Sequence, residues 1–484
     1  MDSLPLSKSL RKLLALIVPA IAFALLPAAY GQAPLKWQGG AEGSWNDDSA
    51  WISDTGDVSG WIEGSAAILP GLGGGDFTID VPSKFTASSI WFQKNPATLQ
   101  GAGSLLLKVD PGAKPAQALR SDSPLTVDIP VQLDGGLLEH GGQWQTWMTG
   151  SKDKLLTINK EISEVQPTGI SFAFGTLVLN VPSSFSGGVA LNNSIVVLGN
   201  DSGAGSGPIV MASQSNTLLA AGGDRTIKNA LSTTWISAEV KWTIGGEGNL
   251  TVAVPVRFQG KEPACVSIEI LDGRTLTFAA GISRVEGRDS VPPGLRLTSP
   301  GATLVLEQEI AYTGPTTIEG GRLVMNGTSE AQKSWKLVSP GVLAGTGTIG
   351  LQEEEECFLD SGSLSPGGDG SVGTINVHGD LRIGAGFSYL WNFGSAADAG
   401  DCLVSLGRLK MEPGTQWKVI VSATAGAALA SGTHRWPVIT AQGGVPEDAA
   451  KSGAVEIDPA LASRGYSGHL EAAEGRIDLV LNAN

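Results

Sequence analysis

The sequence predicts an all-β fold in which short strands stack into an elongated solenoid, and three observations predict it. Apolar residues alternate with polar ones over strand-length segments that Gly, Asn, Asp or Pro close, most clearly between residues 312 and 381. The composition is rich in turns, with 66 Gly in 484 residues and only 16% charged residues. Residues 185–200 also align without gaps on residues 312–327, and their apolar positions coincide. A unit of this size cannot cover its own apolar face, so the repetition favours a stacked array.

The same central segment resembles a known family. It contains YTGPTTIEGGRLVMNG at residues 312–327, LAGTGTIG at 343–350 and SLSPGGDGSVGTINVHGDL at 363–381. In this order and spacing, the three blocks resemble the autotransporter-associated β-strand repeat of bacterial surface and passenger proteins. The resemblance implies a parallel β-helix, right-handed, on the outside of a cell. It implies no reaction.

Residues 1–33 have the pattern of a secretory signal peptide. Lys8, Arg11 and Lys12 precede an apolar stretch over residues 13–26, and small residues follow at the candidate cleavage positions. Cleavage is expected after Gly31 or Ala33, with Gly31 favoured because Pro34 follows the other bond. The apolar stretch is short for a membrane span, so an uncleaved anchor is the lesser alternative. The sequence therefore predicts an exported protein.

Residues 34–95 are expected to form a Trp-rich N-terminal cap and the first coils. The first coil of a solenoid needs cover against water and against edge pairing, and large aromatic side chains provide it. The alternative is a platform on which sugar rings stack. Gly and Asp are interleaved with these aromatic residues as turns require, which favours the cap. The candidate residues are Trp37, Trp45, Trp51 and Trp61.

Residues 96–385 are predicted to form the β-helix with its strand repeats. Between residues 98 and 176 the strands alternate with Pro- and Gly-containing breaks, which indicates early coils with longer loops. We expect His140, Trp144 and Trp147 to lie in one of these loops. A lone His without a second ligand at a suitable spacing is usually structural, so no metal site is assigned.

Residues 386–484 are predicted to form C-terminal β coils and a second cap. The segment AGAALAS at residues 425–431 fits either a helical turn or a loop. True autotransporter passengers precede a membrane barrel of many alternating strands, and we expect none here because too few residues follow the last recognisable coil. We also expect no integral membrane segment after signal cleavage.

The three cysteines, Cys265, Cys357 and Cys402, are far apart in the sequence. Their spacing matches no zinc motif, and an odd number cannot pair fully within one chain. Buried single thiols are the favoured interpretation. A bridge between Cys357 and Cys402 stays open, because stacked coils bring distant positions together.

Three short motifs invite a chemical interpretation that their context does not support. Residues 345–350 spell G-x-G-x-x-G, but no helix pattern follows to receive a pyrophosphate, so these glycines are interpreted as turn positions. Residues 353–356 are four successive Glu, which alternate between two faces of an extended chain and are interpreted as a solvated loop. GGDGSVG at residues 367–373 lacks the tandem repetition that calcium-binding nonapeptides need.

The carboxylates do not form a recognisable catalytic set. Glycoside hydrolysis needs two facing carboxylates, whereas the candidates are scattered and mostly neighbour turn residues. No nucleophile elbow and no Ser/His/Asp set stands out. We therefore assign no catalytic, cofactor-binding or metal-binding residue and expect no cofactor. The candidate acids are Asp47, Asp48, Asp134, Asp201, Asp224 and Asp369.

These observations predict a non-enzymatic protein that is extracellular, on the cell surface or periplasmic, with a structural or adhesin-like role. A net charge of −15 argues against nucleic acid and against an anionic membrane as partners. Expected partners are cell-surface or extracellular polysaccharides or other surface proteins. The alternative is a secreted carbohydrate-active or carbohydrate-binding β-helix, resembling a polysaccharide lyase or glycosidase. Saccharide binding without turnover would depend on Trp144 or Trp147.

Overall fold

A computed structural model describes residues 33–71, 75–110, 117–139, 142–234, 238–259, 264–271, 273–283, 293–329, 331–395 and 399–484. Residues 1–32 of the predicted signal peptide, His140 and residue 235 lie outside the described residues. Strands account for 54% of the structure and helix for 1%, which confirms the all-β prediction.

Forty-eight strands are defined within the described residues, and they are short because each coil turns several times. Those of the N-terminal third are β1 (Leu35–Trp37), β2 (Glu42–Ser44), β3 (Trp51–Ser53), β4 (Val58–Ser59), β5 (Ala66–Leu69), β6 (Phe77–Asp80), β7 (Phe85–Ala87), β8 (Ser89–Phe92), β9 (Ala97–Gln100), β10 (Leu105–Lys108), β11 (Gln117–Ser121), β12 (Leu125–Val127), β13 (Val131–Asp134), β14 (Leu137–Glu139), β15 (Gly142–Thr149), β16 (Leu155–Ile158), β17 (Ile162–Glu164), β18 (Thr168–Ala173) and β19 (Thr176–Leu179).

The middle of the chain contributes β20 (Val189–Asn192), β21 (Ile195–Leu198), β22 (Ile209–Met211), β23 (Ser215–Ala220), β24 (Arg225–Ile227), β25 (Leu231–Thr233), β26 (Glu239–Gly246), β27 (Leu250–Val252), β28 (Val256–Arg257), β29 (Cys265–Ile270), β30 (Thr275–Phe278), β31 (Ile282–Ser283), β32 (Gly294–Leu306), β33 (Thr316–Met325), β34 (Trp335–Leu337), β35 (Val342–Gly345) and β36 (Thr348–Gly350).

The C-terminal part contributes β37 (Glu356–Leu359), β38 (Ser363–Pro366), β39 (Thr374–His378), β40 (Asp380–Ile383), β41 (Ser388–Phe393), β42 (Cys402–Ser405), β43 (Leu409–Met411), β44 (Trp417–Ala423), β45 (Gly432–Ala441), β46 (Gly453–Ile457), the one-turn helix α1 (Pro459–Ala462), β47 (Ser467–Ala473) and β48 (Arg476–Ala483).

Parallel pairing between successive coils arranges these strands on three faces. Face 1 contains β1, β5, β8, β11, β15, β18, β20, β22, β25, β28 and β31, and continues through bridges at Ile310, Thr328 and Ser329 into β36, β39, β42 and β45. Face 2 contains β2, β6, β9, β12, β16, β19, β21, β23, β26, β29, the first halves of β32 and β33, β34, β37, β40 and β43. Face 3 contains β7, β10, β13, β17, β24, β27, β30, the second halves of β32 and β33, β35, β38, β41, β44 and β46.

This arrangement is a parallel β-helix, as expected. Along each strand the inward residues are buried, and one apolar core runs from Leu35 to Ala483. Each coil covers the apolar side of the next, so no single coil carries a complete core. The sheet pairing does not test handedness, which stays a prediction.

Residues 185–200 and 312–327, which match in sequence at an offset of 127, share the same pattern of burial. They do not lie at the same position in the coil. Leu191 and Ile318 occupy matching sequence positions and are 0% and 1% exposed. Leu191 pairs with Phe172 on face 1, whereas Ile318 pairs with Leu297 on face 2. The two units are therefore displaced by one face, because coils differ in length and 127 residues are not a whole number of turns.

The Trp-rich segment caps the N-terminal end, as predicted. The ring of Trp45 stacks on Phe85 of β7 at 3.9 Å between centroids, and it packs against Trp51 at 4.7 Å. The Trp51 indole N–H donates to the Trp45 carbonyl at 3.0 Å. Trp37, Trp45 and Trp51 are nearly fully buried, and Trp61 is partly buried against the same cluster. These rings form the end of the core and are not a platform for sugars.

At the C-terminal end the parallel order stops. β45 pairs antiparallel with β48, which in turn pairs antiparallel with β47. Residues 425–431 form a turn and a loop, and α1 lies further along, where Asp458 caps it by accepting the Ala460 N–H at 2.8 Å.

The expected loop around Trp144 and Trp147 is wrong. Both residues lie in β15, a strand of eight residues that pairs with β11 and β18 on face 1. The β-propensity of GQWQTWMT favours this strand, and Gly142 is its first residue. Within the described part of the chain there is no helix with the length and hydrophobicity needed to span a bilayer.

Candidate functional site

The candidate acids are held by separate structural contacts rather than by one another. Asp47 accepts the Ser49 N–H at 2.8 Å and the Ser49 hydroxyl at 2.7 Å, and these bonds lower the pKa of its carboxyl. Asp134 accepts from Gln166 at 2.9 Å. The carboxylate oxygen of Asp369 lies 2.9 Å from a guanidinium nitrogen of Arg322.

Asp201, Asp224 and Arg225 come nearest to a catalytic grouping. Arg225 lies 4.0 Å from the Asp201 carboxylate, but its guanidinium also donates to the carbonyls of Leu198 and Ala221. The Asp224 carboxylate accepts the Asn249 N–H of the next coil at 2.8 Å. The described contacts of the Asp224 carboxylate are both to Asn249, so of these two carboxylates Asp201 alone pairs with Arg225.

The aromatic residues singled out from the sequence do not offer a stacking surface. Trp147 points into the core and is 0% exposed. Trp144 points to the outside of face 1 but is 5% exposed, and it packs against Ala190 and Val210. Trp91 is partly exposed, and its ring is covered by Arg120 at 4.7 Å.

Phe174 is the aromatic side chain that sequence reasoning missed. It is 44% exposed at the corner between faces 1 and 2. Its φ of 59° lies in the left-handed region, where a bulky side chain costs about 1–2 kcal/mol. Asn193, the residue above it in the next coil, has the same conformation with φ 51°. No sequence pattern marks an exposed Phe in a position that Gly or Asn usually fills.

The G-x-G-x-x-G segment serves coil packing. A Cβ at Gly345 would lie 2.3 Å from the Met325 carbonyl oxygen, and Gly345 has φ 106°. The chain continues into β36 and β37, with no helix between them. Without a helix N-terminus the motif lacks the context that a pyrophosphate site needs. Gly347 lies in the turn between β35 and β36, as interpreted, whereas Gly345 and Gly350 are the last residues of those two strands.

The acidic run is only partly a solvated loop. Glu353 and Glu354 are exposed, whereas Glu356 pairs with Arg382 at 3.3 Å and with Lys410 at 3.4 Å. Asp369, in the glycine-rich turn at residues 367–373, holds the Arg322 guanidinium. Cationic side chains are thus the partners of Glu356 and Asp369.

An ion-pair ladder follows the outer side of face 2. Arg296 joins Glu239 at 3.4 Å and Glu319 at 2.8 Å, which links three coils. Further along, Arg382 joins Glu356 and Glu412. These side chains are between about a quarter and three quarters exposed, so each pair contributes little alone.

All three cysteines are free thiols, so the Cys357–Cys402 bridge is excluded. Cys357 pairs with Leu381 on face 2, whereas Cys402 pairs with Thr374 on face 1. Burial raises the pKa of the Cys357 thiol to about 12 and that of Cys402 to about 11. These thiols are inert structural groups rather than nucleophiles.

The most unusual polar group is Asp401, which is 0% exposed and immediately precedes β42. Its carboxylate accepts the Gly373 N–H at 2.8 Å, the Asn392 N–H at 2.8 Å and the Asn392 amide at 3.1 Å. Burial raises the pKa of the Asp401 carboxyl to about 7, although these three hydrogen bonds act in the opposite direction. The sequence did not indicate that Asp401 is buried, because an Asp next to Gly is typical of an exposed turn.

Among the residues described, no three His, Cys, Asp or Glu side chains are grouped so that they could hold a metal ion. An open depression of about 520 Å³ lies between two coils at the corner of faces 3 and 1, lined by Glu307–Glu309 and Asn326–Ser329. Asn326 donates to Glu307 across it at 3.1 Å. No protein-family model matches the chain, and no curated protein matches its sequence significantly.

Proposed function

We propose that this protein is an exported, non-catalytic β-helix of the autotransporter-associated repeat type, with a structural or adhesin-like role at a bacterial cell surface or in the extracellular space. The observation that carries the proposal is how the candidate acids are used. Of the six that the sequence singles out, Asp47, Asp134 and Asp224 accept hydrogen bonds from their own turn or a neighbouring coil, and Asp201 and Asp369 each pair with a different arginine.

Support for export comes from the signal-peptide pattern of residues 1–33 and from the resemblance of residues 312–381 to surface-protein repeats. Parallel coils that stack on one another would form a stiff spacer. Ion pairs on their outer side would keep the surface of that spacer polar. The net charge of −15 is compatible with solubility and unsuited to nucleic acid.

Protease shaving of intact cells, followed by N-terminal sequencing of the mature protein, tests the location. We expect release of fragments from intact cells and a mature N-terminus at Gln32 or Pro34. Protein that retains Met1, or that is cut only after cell lysis and periplasmic release, overturns the cell-surface assignment.

Incubation with a polysaccharide panel tests the absence of catalysis. Reducing-end release and the absorbance of unsaturated products should both stay at background. Reproducible turnover that Asp224→Asn abolishes, while Asp47→Asn does not, would establish the carbohydrate-active alternative. Asp47 is the matched control because its carboxylate contacts only a local turn.

A second candidate is saccharide binding without turnover, and the exposed, strained Phe174 favours it. An aromatic face stacks on the apolar side of a sugar ring, and the neighbouring Asn193 amide supplies hydrogen bonds. On a glycan array, Phe174→Ala should lose retention while the distant Leu138→Ala, also at an exposed position, keeps it. Equal retention by both variants, or none by the parent protein, rejects this candidate.

A further inference from the structure

Six consecutive strands of face 2 form a stripe without charge. The strands β9, β12, β16, β19, β21 and β23 contain no Asp, Glu, Lys, Arg or His. The strands on either side do contain charges, since β6 ends at Asp80 and β26 contains Glu239 and Lys241. From β26 onwards the outer side of face 2 carries the ion-pair ladder. The two halves of one face therefore present different chemistry to solvent.

The outward side chains of this uncharged stripe stand in register over the four coils from β16 to β23. One column contains Thr157, Val178, Val197 and Leu219, which pair in that order and are partly exposed. Three of the four strands present one aliphatic side chain and one threonine to solvent. The second column lies two residues earlier in each strand and contains Leu155, Thr176, Ile195 and Thr217.

Amide side chains and one aromatic ring border the stripe. Just after the strands, Asn180 donates to Asn159 at 2.7 Å, and Asn159 donates to Asp128 at 2.6 Å. Just before the strands, Phe174 and Asn193 lie at the corner two residues ahead of the second column, and both are exposed. The stripe thus has an apolar and hydroxyl-bearing floor with hydrogen-bonding groups along both edges.

We propose that the uncharged stripe binds a neutral, extended polysaccharide that lies along the axis of the β-helix, and this rests on the non-catalytic surface role proposed above. A sugar ring has apolar C–H faces and hydroxyl edges, which suit aliphatic and threonine side chains bordered by amides. Successive coils are about 4.8 Å apart, close to the length of one sugar residue in an extended chain. Each coil therefore meets the next ring with similar groups.

Charge and area argue against other partners. An anionic polymer finds no cation among the outward side chains of the stripe, and the chain carries a net charge of −15. Four coils about 4.8 Å apart and two columns about 7 Å apart give the stripe an area of roughly 200–300 Å². A stable interface with a second copy needs about 800 Å² from each partner. A narrow, chain-like ligand fits this area better than a protein surface does.

Affinity electrophoresis of the mature, exported protein tests the proposal. The neutral probes are xylan, galactomannan, hydroxyethyl cellulose and a β-1,3-glucan, and the anionic probes are alginate and polygalacturonate. We expect retardation by a neutral polymer and none by the anionic ones. Val197→Asp should raise the dissociation constant at least about tenfold, because it places a charge against an apolar ring face. Val305→Asp is the matched control, since Val305 is an outward, partly exposed valine on face 3.

Oligosaccharides of the retarding polymer keep the test independent of whether Val197→Asp folds. Affinity of the parent protein should increase with chain length up to about four or five residues, because each coil contacts one ring. Affinity that does not depend on length indicates a single-ring site, such as the Phe174 corner, and overturns the stripe.

Three other results overturn the proposal. The first is the absence of retardation by any neutral polymer, and the second is equal binding by Val197→Asp and the parent protein. The third is a parent protein that sediments as a dimer while Val197→Asp is a monomer, which would assign the stripe to a second copy. None of these results changes the cell-surface assignment, which protease shaving tests separately.

Discussion

Trp147 shows how the core uses aromatic residues that the sequence suggested for binding. Its ring is 0% exposed inside face 1 and pairs in register with Leu119 and Phe172. Trp147→Ala should lower the free energy of unfolding by about 3–5 kcal/mol, because it leaves a large cavity in a close-packed core. Denaturant titration followed by circular dichroism measures this. Leu138→Ala, at a 72% exposed position, should change it by less than about 0.5 kcal/mol.

The cysteines allow a second prediction at single residues. Burial raises the pKa of Cys265 and Cys357 to about 12, so less than about a thousandth of either thiol is ionised at pH 8. In the native protein a thiol reagent should therefore react slowly, and it should titrate three thiols after unfolding. Rapid reaction of one equivalent without unfolding would contradict the described burial.

For single residues, the sequence predicted which side of a strand a side chain occupies better than it predicted the surroundings of a residue in a turn. Alternation correctly placed Ile318 and Leu323 inside the core, because a strand has only two sides. It could not predict that Asp401 is buried while Asp369 is exposed, since both lie beside glycine in turn-rich segments. Their difference depends on which coil lies above, and that neighbour is distant in sequence.

Among the elements, face 2 shows how charges on successive strands act together. Arg382 of β40 joins Glu356 of β37 and Glu412 just after β43, so one side chain connects three coils. Arg382→Gln should lower stability by about 0.5–1 kcal/mol in low salt, and most of the difference should disappear in 1 M salt, where the Debye length is about 3 Å. Denaturant titration of the parent protein and the variant at both salt concentrations measures this difference in the free energy of unfolding. Lys108→Gln removes an equal charge at an exposed position of face 3 and should show no comparable salt-dependent loss.

The elements also show where sequence repetition misleads. Leu191 and Ile318 match in the repeat but lie on faces 1 and 2. Turns between strands vary in length from coil to coil, and a sequence alignment does not record which turn has changed. The existence of strands was thus predictable, whereas their assignment to a face required the pairing of each coil with the next.

For the whole molecule, the stacking of coils predicts that stability is local. Each coil contacts mainly its neighbours, so the free energy is close to a sum of coil and interface contributions. Leu99 pairs with Ile79 and Val127 near one end, and Leu403 pairs with Ile375 and Ile439 near the other. Leu99→Ala and Leu403→Ala should each lose about 2–5 kcal/mol of local stability.

Hydrogen exchange across the chain separates local from global unfolding. Leu99→Ala should speed exchange in the coils that flank β9 and leave β39 and β42 protected, and Leu403→Ala should do the reverse. The coils that one substitution leaves protected are the coils that the other substitution affects, so each variant serves as the control for the other. If either substitution speeds exchange uniformly from β5 to β45, the molecule unfolds as one cooperative unit. The core that runs continuously from cap to cap would then outweigh the nearest-neighbour character of the coils.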